Sequence, residues 1–491
     1  MTPVQPSPIL VAARKAAKDW RELPMTERLG RIRSFRGRVV DELDTITETV
    51  KTDTGKPSVE TLMNDVLPVL ETASYLENRA VSILRTEKRR SPFLYPRSRF
   101  YVEHHPHGVV LVLAPWNFPF QLALIPALSA LVAGNAVVIK VSERTPAMGP
   151  LLQNLFMKAE FPKNIVQVVT GGPEEGEALV RSGPDMVFLT GGTTTGRSVM
   201  RLAAERLIPL VLELGGKDPM IVFPDAPFHR AVEAAVYGAF VNAGQVCVSV
   251  ERVYVHKDLF DRFAEALVHR TAGVRLGSDE DADVGPLITE GHADRFRELI
   301  QDALDKGARA LTPVSIQGRR AEPIILTGVN SQMRLWDEEA FGPVLLLSPF
   351  DSEEDAVRLA NGTPYGLNAS VWTMDLLKGR RVSSQLESGN VAVNDVIKNI
   401  GNPHTPFGGV KASGLGVSHG PEGLRSFCRP MAVMVNRGRW KREPNWFPYG
   451  PKRRRDLKTM LALLYSDKSW VRRLTEMIRQ RLSDRRNPYE K

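Results

Sequence analysis

The chain has 491 residues, 43% hydrophobic and 25% charged, with 2 cysteines and a formal net charge of +9. Such a chain buries a large core in about three domains at ~150 residues each. Two cysteines exclude a disulfide scaffold and suit a reducing compartment, and the lack of any run of about 18 apolar residues excludes a membrane-spanning helix. The opening MTPVQPSPILVAARKAAKDW lacks the apolar block of a secretory signal, so a cytoplasmic location is expected. The charge is unevenly spread. From Arg437 to Lys491 there are 17 Lys+Arg against 6 Asp+Glu, which leaves positions 1–436 with a net charge of −2.

In chain order, the stretch to Leu84 reads as helices, with Leu29, Ile32, Val39, Leu43 and Ile46 at helical spacing and a similar pattern from Glu60 to Ala80. Ser91–His107, rich in proline and aromatics, reads as an extended excursion with a strand over Arg99–Glu103. From Gly108 short apolar runs alternate with amphipathic stretches. Val109–Leu113, Ala136–Ile139, Ile165–Val169, Met186–Leu189 and Leu210–Leu214 are expected to be buried strands. Gln121–Ala133, Gly149–Ala159 and Gly196–Arg206 are expected to be helices between them. The alternation resumes from Gly216 to Gly401, with helices over Ala231–Phe240 and Leu259–Leu276 and strands over Arg252–Val255 and Val344–Pro349. This pattern predicts an α/β protein of two large domains, each with a parallel sheet covered on both faces.

Candidate chemistry lies at the ends of these runs. Cys247 follows Asn242-Ala243-Gly244-Gln245-Val246, a small polar loop after a helix, where a glycine permits an exposed turn and backbone N–H groups can stabilise a thiolate. Cys428 has no such neighbours and reads as structural. Glu213 ends an apolar strand before two glycines, the place where open α/β sheets put their sites. Buried there it would act as a base near neutrality, and an ion pair with Lys217 is the competing reading. Asn117, held between aromatics and prolines, offers an amide to an oxyanion or bonds its own backbone. Thr190–Gly196 joins a strand to a helix in the manner of a phosphate turn, without the pattern of a Walker or GxGxxG loop. Lys140 and Glu143 stand at another strand end, where a carboxylate suits ribose hydroxyls.

Taken together, the segments PWNFP at 115–119, KVSE at 140–143, FLTGGTTTG at 188–196, ELGGKDP at 213–219, NAGQVC at 242–247, EEAFGPV at 338–344, NGTPYGL at 361–367 and PFGGVKASGLG at 406–416 resemble the successive motifs of the NAD(P)-dependent aldehyde dehydrogenase superfamily. They occur in that family's order across roughly residues 10–435. The resemblance implies two Rossmann-like doubly wound domains, for cofactor and catalysis, plus a small β oligomerisation extension. It implies Cys247 as nucleophile, Asn117 with the Cys247 N–H as oxyanion hole, and Glu213 as the base that activates water on a thioester. For the cofactor it implies Trp116, Lys140 and Glu143 at the adenosine side, Gly191, Gly192 and Gly196 near the pyrophosphate, and Glu339 with Phe341 at the nicotinamide ribose. No metal site is implied. Glu143 favours NAD because a carboxylate repels a 2′-phosphate, although related enzymes with this glutamate use both cofactors, so NADP stays open.

The expected reaction is oxidation of an aliphatic or aromatic aldehyde to the carboxylic acid. Competing readings are a catalytically retired scaffold and a variant that passes the thioester to coenzyme A. Domains are expected at 1–87 with 107–213 (cofactor), 214–402 (catalytic) and 88–106 with 403–436 (oligomerisation), followed by a basic amphipathic tail at 437–491. His404–Gly409, Ser418–Gly420, Ser426–Phe427 and Trp446–Tyr449 are similar to the class 3 and fatty aldehyde group, whose members are commonly homodimers. In the tail, Leu457, Leu461 and Leu464 on one short helix, and Val471, Leu474, Ile478 and Leu482 on another, give apolar faces among basic residues. This suits peripheral contact with an anionic membrane or a helix packed on the body. Nucleic acid is disfavoured, because no aromatic interleaving accompanies the charge.

Overall fold

The computed structural model describes residues 7–92, 95, 98–443, 445–465, 475 and 478–479. The chain divides into two compact units, Met1–Lys88 with Tyr101–Val433, and Arg89–Phe100 with Met434–Lys491. The first unit contains two large sheets. The apolar runs become strands buried along their whole length: every residue of Val109–Leu113, Ala136–Ser142 and Met186–Thr190 is buried. Successive strand residues face opposite ways, so unbroken burial means that helices cover both faces.

The six-stranded sheet has the order Gly414–Leu415, Leu210–Glu213, Met186–Thr190, Val109–Leu113, Ala136–Ser142, Val166–Gly171. All neighbours are parallel except Gly414–Leu415, which runs antiparallel to Leu210–Glu213 and sets Gly414 opposite Glu213. The chain leaves Val109–Leu113 in one direction and returns on its other side at Met186–Thr190. Such a reversal opens a crevice beyond the carboxyl ends of these two strands. The seven-stranded sheet runs Arg309–Ala310, Ile324–Thr327, Val344–Phe350, Arg252–His256, Pro219–Val222, Asn368–Trp372, Asn390–Val393, with Arg309–Ala310 antiparallel to its neighbour. The doubly wound α/β class is therefore the observed one. A third sheet pairs Glu87–Arg89, Ser98–Pro106 and Cys428–Asn436 in that order.

Local differences from the sequence reading have simple causes. The helix expected over Leu259–Leu276 runs only Phe260–Thr271, ending just before Gly273, a residue that favours leaving a helix. Between Ser58 and Leu84 the helical pattern is interrupted by a π-turn over Leu62–Val66. Such a turn inserts a residue and re-aims its neighbours, and here Asp65 becomes fully buried. Asp65 Oδ1 accepts from the Phe120 and Gln121 N–H groups at 3.2 and 3.1 Å, capping the helix Gln121–Val132. Its other oxygen meets Lys56 Nζ at 2.8 Å, and that ammonium also donates to the Asn117 carbonyl at 2.8 Å.

In the second unit the first tail helix spans Pro451–Tyr465, so the run Lys452–Arg455 lies inside its first turns. Leu457 and Leu461 are exposed, as are Trp446, Phe447 and Tyr449. The second expected tail helix lies largely outside the described residues. No helix among the described residues is long and apolar enough to cross a membrane.

Lys56→Met leaves the Asp65 carboxylate buried without its cation. It is expected to lower stability by about 3–5 kcal/mol, read from the urea midpoint, with part of the loss recovered when Asp65→Asn is added.

Candidate active site

The crevice between the reversed strands is a cavity of about 490 Å³ whose wall includes Trp116, Asn117, Gly191, Gly192, Glu213, Cys247, Glu339 and Phe341. Lys140, Glu143 and Gly196 are not on that wall. Lys140 is buried at its strand end, 3.8 Å from the exposed Glu143, and burial lowers its pKa. A Cβ on Gly196 would lie 2.6 Å from a Leu214 methyl, so this glycine lets its helix press against the strand end. Arg144, His292 and Arg295 also line the cavity and were not singled out in the sequence. Arg144 lies 5.6 Å from the Trp116 ring centroid, and His292 packs edge-on against Trp116 and Phe341.

The thiol is delivered by an unusual piece of backbone. After the helix Phe228–Phe240, Asn242, Ala243 and Gly244 take φ values of 52°, 55° and 68°. Side chains disfavour this left-handed region by about 1–2 kcal/mol per residue, so the loop needs external restraint. Asn242 Nδ2 donates to the Asn117 carbonyl at 3.0 Å, and Asn117 Nδ2 donates back to the Gln245 carbonyl at 3.0 Å. Gln245 Nε2 donates to the Asn242 carbonyl at 2.9 Å, and Gln245 Oε1 accepts from the Ile288 N–H at 2.8 Å. From below, a Cβ on Gly216 would sit 2.1 Å from the Cys247 carbonyl oxygen. Only glycine admits that approach. Cys247 is thereby left half-buried and facing the cavity.

Burial first, and then three carboxyl groups, govern its ionisation. Burial and the charges of Glu339, Glu213 and Asp218 push the Cys247 thiol up, so at neutrality the sulfur rests protonated and needs a base to become a nucleophile. Glu213 ends its strand buried, with Oε1 lacking a hydrogen-bond partner. Burial raises its pKa to about 7 against a partial offset from the Ser418 hydroxyl. Lys217 does not neutralise it. That ammonium meets Glu251 at 2.6 Å and donates to the Glu338 carbonyl at 2.7 Å. Glu251 in turn accepts from the Ala340 and Phe341 N–H groups at 3.0 and 3.4 Å, fixing the turn that carries Glu339. Glu339 accepts from the Gly216 N–H at 3.0 Å, and burial beside Glu251 raises its pKa to about 8. Cys428 is buried away from this site, its thiol pushed up to about 12 by desolvation.

A model of the aldehyde dehydrogenase family matches residues 5–433. The chain belongs to that family. It is 44% identical over 465 residues to a 4,4'-diapolycopene aldehyde oxidase of Methylomonas sp, covering 94% of this chain and 88% of the relative. Among solved structures it resembles betaine aldehyde dehydrogenase of Staphylococcus aureus in complex with NAD+, with TM-score 0.83, 30% identity, and coverage of 90% of this chain and 89% of that one. It also resembles an aldehyde dehydrogenase of Mycobacterium tuberculosis complexed with NAD+, with TM-score 0.83, 33% identity, and coverage of 87% and 89%.

Gly216→Ala is expected to displace the Cys247 carbonyl and cut kcat by about 100-fold, the cost of an ångström-scale misplacement. The check is turnover of a simple aldehyde beside a thermal melt.

Proposed function

We infer that the chain oxidises an aldehyde to its carboxylic acid with NAD(P)+ as acceptor. The observation that supports this most is the meeting of Cys247, Asn117 and Glu213 on one cavity wall. The start of the helix Thr193–Ala204 suits a dinucleotide: its N-cap Gly192 makes no side-chain cap bond and has open space around it. Uncapped N–H groups at a helix start are a ready anion site. Gly191 and Gly192 would hold the pyrophosphate, Lys140 and Glu143 the adenosine ribose, Gly196 the helix approach, and Glu339 with Phe341 the nicotinamide ribose, with Trp116 packed on Phe341. The cofactor, when bound, supplies a hydride acceptor.

The protein's own groups perform the rest. Cys247 Sγ bonds to the carbonyl carbon, its proton passing to a base. The oxyanion receives the Cys247 N–H and the second amide hydrogen of Asn117, the first being committed to Gln245. Loss of hydride leaves a thioester on Cys247. Glu213 then takes a proton from water as the water oxygen attacks; the C–S bond breaks and the acid leaves. This base argues for water over coenzyme A, and the intact trio argues against a retired scaffold.

We further assign cofactor binding to residues 1–87 and 107–213, catalysis to 214–402, and homodimer formation to 88–106 and 403–436. Cys428–Asn436 is an edge strand with Met431, Met434 and Val435 exposed, the kind of edge that a second copy pairs with. The motifs that resemble those of the class 3 and fatty aldehyde group support the same assembly. The free thiols of Cys247 and Cys428 suit the cytoplasm. In the tail, Lys452–Arg455 add positive charge to the positive end of the helix Pro451–Tyr465, with no acidic residue in its first turn. Exposed Trp446, Phe447 and Leu461 nearby in sequence suit an anionic membrane surface.

Below pH 7 Glu213 is increasingly protonated and cannot accept a proton from water. The steady-state rate with NAD or NADP is therefore expected to rise about tenfold per pH unit at low pH and to level off above about 7. Glu213→Gln should keep a first-turnover burst while lowering steady turnover by about 10²–10⁴; a variant with full steady turnover would exclude this role. Deleting the residues after Asn436 is expected to abolish sedimentation with vesicles containing anionic phospholipid. Undiminished sedimentation would remove the tail from any membrane role.

A further inference from the structure

Two cavities border the apolar cluster on which Cys247 packs. One is the crevice already described. The other, of about 610 Å³, is walled by Val59, Met63, Tyr237, Phe240, Val241 and Val396 among others. Val241 connects this second cavity to the thiol. It packs with Phe118, Val246, Val248, Leu367 and Phe407 in the apolar cluster against which Cys247 and Leu122 rest. Ile397, next in sequence to Val396, packs on the same cluster. One apolar cluster thus reaches both Cys247 and the second cavity, on whose lining Val59, Met63 and Tyr237 are exposed.

The charged groups of this wall are arranged against an anion. Its cations are Arg230, Arg270 and Lys398, and each has a carboxylate partner. Arg230 and Lys398 share Asp395 at 2.8 and 3.7 Å, and Arg270 meets Glu233 at 2.8 Å. Asp283 is matched by Arg275 at 3.1 Å. Glu60 also lines the cavity and is buried, and the ammonium beside it, Lys56, is taken by Asp65 at 2.8 Å. A carboxylate-bearing substrate entering here meets cations that each already face a carboxylate, Asp395 serving two of them, and it faces buried Glu60, whose pKa burial raises to about 7. It would pay its desolvation with no compensating pair.

We propose that this cavity selects aldehydes borne on uncharged apolar chains and rejects aldehydes that carry a carboxylate. The selection rests on the aldehyde-oxidising reading of Cys247. Each methylene laid on the apolar wall gains transfer free energy equivalent to about fourfold in kcat/KM. The gain continues while the chain remains within the cavity, whose volume falls in the usual range of about 300–1,000 Å³ for small-molecule sites.

The test measures kcat/KM of the full chain with NAD for propanal, butanal, hexanal, decanal and succinate semialdehyde. The four-carbon butanal serves as the uncharged partner of succinate semialdehyde. A rise of at least about tenfold from propanal to decanal is expected, with succinate semialdehyde at least about tenfold below butanal. Asp395→Asn frees Arg230 and Lys398, and should raise the ratio of succinate semialdehyde to butanal by about tenfold. A flat length series, or succinate semialdehyde used as well as butanal, overturns the substrate class while leaving aldehyde oxidation in place. Absence of turnover with every aldehyde overturns the oxidation itself, and the selection with it.

Discussion

The buried pair of Lys56 and Asp65 ties together parts of the chain that share no local sequence. Through one ammonium and one carboxylate it joins the N-terminal helices, the start of the helix Gln121–Val132 and the backbone of Asn117. Asn117 then exchanges hydrogen bonds with the left-handed loop before Cys247. A buried ion pair is weak evidence of stability in its own right, because desolvation consumes most of the attraction. Its value here is geometric. Asn117 and Cys247 must keep a fixed separation to act together as proposed, and the pair anchors the Asn117 main chain independently of whatever occupies the cavity.

A second network performs the same service on the opposite side. Lys217 and Glu251, also buried, fix the turn bearing Glu339 and leave Glu213 without a cation of its own. Were Lys217 to meet Glu213, the attraction would hold that carboxylate low in pKa and spoil it as a base. Diverting the lysine keeps the carboxylate basic. This network lets the Leu-Glu-Leu-Gly-Gly-Lys stretch carry a lysine so near Glu213 without neutralising it.

Much of this was legible in the sequence, for a definable reason. Strands buried on both faces appear as unbroken apolar runs, so Val109–Leu113, Met186–Thr190 and the residues at their carboxyl ends stood out. The motifs around Asn117 and Glu213 follow such strand ends, whereas Cys247 follows a helix, and the roles proposed for all three come from the superfamily resemblance. Short strands such as Pro219–Val222 and Asn390–Val393 were not legible, because four residues give too little periodicity. Lys56, Asp65, Glu251, Arg144 and His292 were hidden for another reason. Their meaning lies in partners far along the chain, and an isolated charge in sequence reads as a solvated surface group. The π-turn that buries Asp65 was equally silent, since its residues continue a helical pattern.

The carboxylates that surround Cys247 bear on how the protein endures as well as on how it reacts. Thiolates attack peroxides and disulfides far faster than thiols do, and a sulfur oxidised to the sulfinic stage is lost for good. A nucleophile stored with its proton on, and ionised only when a base and a substrate are both in place, presents little to such oxidants while idle. The burial and neighbouring carboxyl groups that keep the proton on Cys247 thus act as chemical shelving, extending the working life of the sulfur proposed as nucleophile.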